Sequence, residues 1–145
     1  MPYEFEDDPR RVDVDVVWQF LLEHAYWGRW RTRQDVDAQV TGAWRVVGCY
    51  EQPSGEMVGF GRALSDGVGL AYLADVFILP QHRGQGLGQR LVEVMIDDGP
   101  GSDFRWLLHT ADAHGLYEKF GFRAPDHTLL ERPHVTSRAS EVEAG

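Results

Sequence analysis

Three sets of residues in this chain have types and spacings suited to chemistry. The first is a glycine-rich run, Arg83-Gly84-Gln85-Gly86-Leu87-Gly88. Glycines let a backbone approach a ligand with no Cβ in the way. Where such a run opens a helix, several N–H groups lack intrahelical partners and point outward at the positive end of the helix dipole. The guest that suits such a cradle is a phosphate or pyrophosphate, and Arg83 adds a permanent positive charge beside it. The second is Asp75, a carboxylate in the middle of the apolar run Leu70 to Ile78. Burying it is costly unless it is paired or hydrogen-bonded. It reads as a structural anchor tied to backbone, Thr110 or His114, or as a general base or an anchor for a cationic amine. The third is the pair His109 and His114, either of which can act as a base near neutral pH. They are five apart and would diverge on a helix. His24, His82, His127 and His134 lack a His-Glu-x-x-His spacing, so no metal site is expected.

The elements that must position these groups follow from periodicity. Leu70 to Ile78 has the length and composition of a buried strand. After the glycines, Leu91, Val92, Met95 and Ile96 recur at helical spacing, with Leu87 just before them. The chain therefore runs from strand through glycine turn to helix. Upstream, residues 3 to 6 alternate as a first strand, and Asp13 can cap a helix to about His24 with Val17, Phe20 and Leu21 on one face. Thr32 and Asp35 stand at capping-box spacing, which predicts a second helix over 33–41. Trp44 to Glu51 and Met57 to Leu64 form a hairpin around Pro53-Ser54-Gly55-Glu56. Gly59 and Gly61 inside its second strand predict a bulge or a closely approached backbone. Downstream, Phe104 to His109 predicts a short strand. Asp112 is placed as the N-cap of a last helix that Gly121 ends, with Phe122 packing back. Thr128 to Glu131 predicts a final strand, and residues 133–145 a frayed tail. Between the first two helices lie Tyr26, Trp27, Gly28, Arg29 and Trp30, which read as helix-end packing or as a wall of a substrate pocket.

Composition narrows the class. The 145 residues suit one domain, here 1–132, with a core that needs no metal or disulfide. The single cysteine, Cys49, sits in a strand and reads as a buried apolar side chain. The formal net charge of −9 argues against nucleic acid and is compatible with a cationic substrate. No basic-then-apolar leader and no membrane-length apolar run are seen, so a cytoplasmic protein with no membrane partner is expected.

A Walker A loop would need a lysine and hydroxyl after the glycines, and the Gly-x-Gly-x-x-Gly fingerprint fails at Gln89. No Gly-x-Ser-x-Gly is present for a hydrolase. Arg-x-x-Gly-x-Gly fits as Arg83, Gly86 and Gly88. A second register, Gln81, Gly84 and Gly86, also fits, but the first places Leu91 and Val92 where the helix's apolar face begins. This run resembles the acyl-CoA pyrophosphate loop of the GNAT superfamily of N-acyltransferases. The segment Leu116-Tyr117-Glu118-Lys119-Phe120-Gly121-Phe122 is similar to a second GNAT motif, in the order and at the spacing usual there. The resemblance covers about residues 43–132. Together with Leu-Ala-Asp-Val-Phe and Asp-Ala-His-Gly, it looks like a small bacterial and fungal subfamily.

What the resemblance implies is an α/β fold of α+β type, a mixed twisted central sheet with helices on both faces. Two central strands would splay apart after Leu79 to admit acyl-CoA, most simply acetyl-CoA, with no metal. Backbone groups of Val76, Phe77 and Ile78 would pair with the pantetheine arm, and Arg83, Gly84, Gln85, Gly86, Leu87 and Gly88 would hold the pyrophosphate. Tyr117 would bind CoA and protonate the departing thiolate, a role a phenol protonated at neutral pH can fill. Asp75 joins it as a candidate catalytic residue. The strand reads Leu73-Ala74-Asp75 where polyamine acetyltransferases of the superfamily carry Leu-Glu-Asp, so the resemblance does not by itself imply a polyamine acceptor. The acceptor is a small-molecule amine or a peptide, in a pocket of Tyr26, Trp27, Arg29, Asp75 and His109. Acyl length would be set near Phe60, Phe77 and Trp106. Small members are often homodimers. The competing reading is a non-catalytic acyl-CoA sensor on the same fold.

Overall fold

A computed structural model describes residues 2–24 and 31–135. Its elements run β1 (Tyr3–Glu6), α1 (Val14–His24), α2 (Arg33–Thr41), β2 (Arg45–Glu51), β3 (Met57–Ser65), β4 (Leu70–Ile78), α3 (Leu87–Met95), β5 (Arg105–Leu107) and α4 (His114–Glu118). The five strands form one sheet in chain order, antiparallel from β1 to β4 and parallel between β4 and β5. Helix α2 starts on the expected capping box: Thr32 Oγ1 accepts from Asp35 N–H at 3.0 Å, and Asp35 Oδ2 accepts from Thr32 N–H at 2.8 Å.

Alternation along β2 divides the core in two. Val47 and Cys49 pack on the side of α3, whereas Val46 and Tyr50 pack on the side of α1 and α2. The helix α3 buries Leu87, Leu91, Val92 and Met95, each worth about 1.5–3 kcal/mol as a fully buried apolar side chain. On the other side Val17, Phe20 and Leu21 of α1 and Val36 and Val40 of α2 cover Phe60 and Phe77. Cys49 is fully buried, and burial pushes its thiol up to about 11, an inert core side chain.

The glycines of β3 answer both expectations. A Cβ at Gly59 would stand 2.5 Å from Ile78 Cδ1, so β4 crosses closely there. The β3–β4 register shifts between Phe60 and Arg62: Phe60 pairs with Phe77 but Arg62 with Ala74, so Asp75 and Val76 together face Gly61. At this bulge Asp75 adopts φ +55°, a left-handed conformation that aspartate tolerates better than most residues.

Two expectations are corrected here. Thr128 to Glu131 does not form a strand. An Asp126 carboxylate accepts Thr128 N–H at 2.8 Å and turns the chain, leaving Leu130 91% exposed. Strand β5 is shorter than Phe104 to His109, because pairing with β4 stops at Tyr72 and Leu107. The end of the chain, 136–145, lies outside the described residues. No helix among the described residues is long and apolar enough to cross a membrane.

Candidate active site

The fork between β4 and β5 opens earlier than the resemblance implied. The two strands pair only at Leu70–Arg105, Ala71–Trp106 and Tyr72–Leu107, and they part from Leu73 onward rather than after Leu79. Beyond Tyr72 no described strand pairs with the outer edge of β4. Backbone hydrogen-bonding groups on such an edge are ready to pair with an extended ligand. Val76, Phe77 and Ile78 lie on this stretch. The Ile78 carbonyl already accepts Arg83 Nε at 2.9 Å, which fixes the arginine beside the open edge.

At the end of β4 the chain makes a 3₁₀ turn, Pro80–His82, and reaches the glycines. Gly84 has φ +85° and Gly86 φ +78°, conformations that strain any residue with a Cβ. Gly86 is the N-cap of α3 and supplies no side-chain cap, so the first N–H groups of the helix, from Leu87 and Gly88 on, stay outward. Gly88 sits inside the helix, where a Cβ would make ordinary contact with Ile78 at 3.9 Å. The turn is pinned from β1: Tyr3 Oη bonds His82 Nδ1 at 2.9 Å, and Gln85 Nε2 donates to Tyr3 Oη at 3.2 Å and to the His82 carbonyl at 3.0 Å. The Gln85 side chain therefore holds the loop, and the Leu87 side chain is core. What these two offer a ligand is backbone.

Tyr117 packs into the core on the α3 side. Its helix closes as a Schellman motif: Phe122 N–H reaches the Tyr117 carbonyl at 3.2 Å, Gly121 N–H reaches that of Glu118 at 3.1 Å, and Gly121 has φ +85°. The Phe122 ring packs edge-on to the Tyr117 ring, with centroids 5.7 Å apart. The run from Tyr117 to Phe122 is thus a helix end that fixes the phenol. Asp112 does not cap this helix. Ala113 precedes its first turn without a side-chain cap, and Thr110 Oγ1 takes the Ala113 N–H at 3.0 Å. The Tyr117 hydroxyl meets no hydrogen-bond partner among the described residues. Burial, with the Asp112 charge adding to it, pushes its pKa up to about 12.

Asp75 is held by partners the sequence did not suggest. Neither Thr110 nor His114 bonds to it. Arg31 Nη1 donates to its Oδ2 at 2.8 Å, Arg31 Nη2 to its Oδ1 at 3.0 Å, and Arg62 Nε to its Oδ2 at 2.7 Å. Burial alone would raise the Asp75 pKa; the hydrogen bonds of Arg31 and the charge of Arg62 outweigh it and hold the carboxyl below its ordinary value. Both oxygens are engaged by permanent cations, an arrangement of an anchor rather than of a proton acceptor. Arg31 and Arg62 were missed in sequence because each looks like a solvated surface arginine. The one available signal was an aspartate in an apolar strand, which has to be paired or hydrogen-bonded.

A second polar group spans the mouth of the fork. Tyr72, the last β4 residue paired with β5, bonds through its hydroxyl to His109 Nδ1, and His109 Nε2 lies 2.7 Å from Glu131 Oε2. A carboxylate only accepts, so Nε2 carries the proton; with the imidazole neutral, Nδ1 accepts from the phenol. Burial raises the Tyr72 pKa, and the charges of Glu131 and Asp75 add to this while Arg62 opposes it. Tyr72 and Glu131 were not legible as site residues, since they are 59 positions apart in sequence.

The other candidates separate. Phe77 stacks on Phe20 at 4.1 Å between ring centroids and packs near Phe60 at 6.1 Å. Trp106 is not with them: its Nε1 donates to the Gly101 carbonyl at 2.8 Å, and it lines a cleft of about 660 Å³ with Phe104, Phe120 and Phe122 that holds neither Asp75 nor Tyr117. Tyr26, Trp27 and Arg29 lie outside the described residues.

Comparison with known proteins agrees with this geometry. Residues 7–122 match the model of the acetyltransferase (GNAT) family. A Gibberella zeae protein named as an acetyltransferase, FG08082, is 32% identical over 110 residues, covering 74% of this chain and 60% of that relative. The chain thus spans about three fifths of that relative's length. A Xanthomonas campestris protein assigned to the same family superposes with a TM-score of 0.84 at 30% identity, covering 91% of this chain and 93% of its own. A Deinococcus radiodurans structure gives a TM-score of 0.70 at 23% identity, covering 90% and 89%. The match over residues 7–122, on a fold whose open strand edge leads to a glycine turn at a helix N-terminus, identifies this protein as a member of the GNAT acetyltransferase family.

Proposed function

We propose that this protein transfers the acetyl group of acetyl-CoA to the amine of an acceptor by direct attack. The observation that carries this reading is the unpaired edge of β4 beyond Tyr72, leading straight to the outward N–H groups at the start of α3. The edge at Val76, Phe77 and Ile78 suits a pantetheine arm, and the loop Arg83 to Gly88 suits the pyrophosphate. Acetyl-CoA, when bound, supplies the thioester. Tyr117 lies on the α3 side and the Asp75 and His109 groups on the α1–α2 side, so amine and leaving thiolate have separate faces. Tyr117 keeps its proton at neutral pH and donates it to the thiolate. The stacking of Phe20 on Phe77 fills space on the acceptor side and favours a short acyl group.

The base in this reading is His109. The ammonium proton passes to the Tyr72 oxygen as the phenol proton passes to His109 Nδ1, while Glu131 holds Nε2–H. Replacing His109 with alanine is expected to lower kcat/KM about 10²-fold near neutral pH. The loss shrinks as pH rises towards the acceptor's own pKa, because free amine then forms without help. A deficit constant from pH 6 to 10 would exclude the base role.

The reaction itself is tested by CoA release, followed by thiol titration, with acetyl-CoA and a panel of polyamines, amino acids, aminoglycosides and short peptides. Release with one amine class is expected. In Arg83→Ala the KM for acetyl-CoA rises about 10-fold or more, since a charged hydrogen bond contributes about 1.5–3 kcal/mol. Tight acetyl-CoA binding with no turnover across the panel would favour an acyl-CoA sensor instead.

A further inference from the structure

The cluster around Asp75 carries more positive charge than its own carboxylate neutralises. Two guanidiniums face one carboxylate, and the side chains of Arg31, Arg62 and Asp75 are 7%, 10% and 4% exposed. Both terminal nitrogens of Arg31 are engaged, Nη1 by Asp75 Oδ2 and by Gln39 Oε1 at 2.9 Å and Nη2 by Asp75 Oδ1. Those of Arg62 are not. Only its Nε is engaged, and its two terminal nitrogens meet no acceptor among the described residues. The Arg62 guanidinium ends in a planar pair of donors that matches a carboxylate in shape and charge.

The position of that free end matters as much as its charge. Arg62 pairs with Ala74 across β3–β4, next to the bulge at Asp75 and on the strand beside the fork. It faces the side of the sheet that carries α1 and α2, with Phe60 two residues before it. Its charge is felt at the Tyr72 hydroxyl, on the same side. Glu131, the other carboxylate felt there, bonds His109 and is more than half exposed, so solvent screens its charge. The amine therefore meets Tyr72 and His109 close to an unfilled guanidinium.

We propose that the acceptor is an amino acid or amino-acid-like amine whose carboxylate docks on the free end of Arg62. This rests on the acetyl-transfer reading above and names its substrate class. One carboxylate brings the cluster from a charge of +1 to zero, whereas a phosphate monoester overshoots it. The overall net charge of −9 draws amines towards the protein, and this local excess of positive charge then selects those that also carry an anion.

Matched acceptors test it. Each of the common amino acids is compared with its carboxamide and its decarboxylated amine, with phosphoethanolamine as the phosphate arm. The free acid is expected to exceed its amide by about 10- to 100-fold in kcat/KM, through KM rather than kcat. In Arg62→Gln this ratio falls towards 1. Asp75 then keeps Arg31 as a balanced pair, and the unfolding midpoint verifies the fold. Arg62→Lys, which retains the charge without the fork, gives an intermediate ratio. Equal use of acid and amide, a preference that survives Arg62→Gln, or a preference for the phosphate-bearing amine each overturns the proposal. If no amine is acetylated, the transfer reading fails, and calorimetry of the same amino acids against the acetyl-CoA-loaded protein decides the inference. Binding that needs the carboxylate and vanishes in Arg62→Gln sustains it; absence of such binding overturns it.

Discussion

Asp75→Asn is expected to lower the free energy of unfolding by about 3–5 kcal/mol, the cost of breaking a buried ion pair from one side. The amide keeps the size of the side chain and tolerates φ +55° nearly as well as aspartate, so backbone strain is not the cause. What changes is charge: Arg31 and Arg62 stay buried with no anion between them. A domain of this size holds about 5–15 kcal/mol in all, so the variant should unfold at much lower urea. Adding Arg62→Met to Asp75→Asn should recover part of the loss, since one stranded cation is removed. Urea midpoints of the two single variants and the double variant measure this as a coupling energy. The same cluster sets a response to acid. The Asp75 pKa is lowered on folding, so its contribution is complete above the ordinary aspartate value of 3.8 and is lost as pH falls through the lower folded value. Asp75→Asn should therefore flatten the acid limb of the stability curve. If it unfolds at the same urea concentration as the parent, the anchor role is wrong.

Tyr117→Phe is expected to lower kcat by about 10²–10³-fold, within the usual range for loss of one general acid. The fold should not change, because the hydroxyl has no described partner to lose and the ring keeps its contact with Phe122. The KM for acetyl-CoA should move little, which separates a proton-transfer role from a merely binding one. The pH profile adds a second criterion. With its pKa pushed up to about 12, Tyr117 stays protonated through the range in which amines become nucleophilic, so it imposes no alkaline fall in kcat below about pH 10. A parent-like kcat in Tyr117→Phe would remove the assigned acid and leave the thiolate to be protonated by water.

Much of this was legible in the chain because it is written in local patterns. The boundaries of β4, Leu70–Ile78, follow from a run of apolar residues closed by proline, and α2 follows from Thr32 and Asp35. The glycine turn was legible because only glycine takes φ +85° and φ +78° without strain, and Gly121 was legible for the same reason. Resemblance supplied the use of those features, which periodicity does not contain. The failures are equally specific. Thr128 to Glu131 has strand composition, but a strand needs an edge to pair with, and the Asp126 turn takes the chain away from one. Asp112 is a good cap by type, yet Thr110 takes the N–H that needed capping.

By itself, then, the sequence determined the order of the elements, the strand–glycine–helix unit, the helix end that carries Tyr117, and the requirement that Asp75 be paired or hydrogen-bonded. Tertiary structure alone decided which partner that is. Arg31 and Arg62 lie 44 and 13 residues away from Asp75, and only the sheet and the chain entering α2 bring them to it. It also decided where the fork opens, because strand parting depends on how far β5 runs beside β4. The grouping of Tyr72, His109 and Glu131 is likewise a property of the fold. The physical reason is common to all three. Backbone conformation and capping are set by neighbours in sequence, whereas pairing of charges and closure of a site are set by neighbours in space.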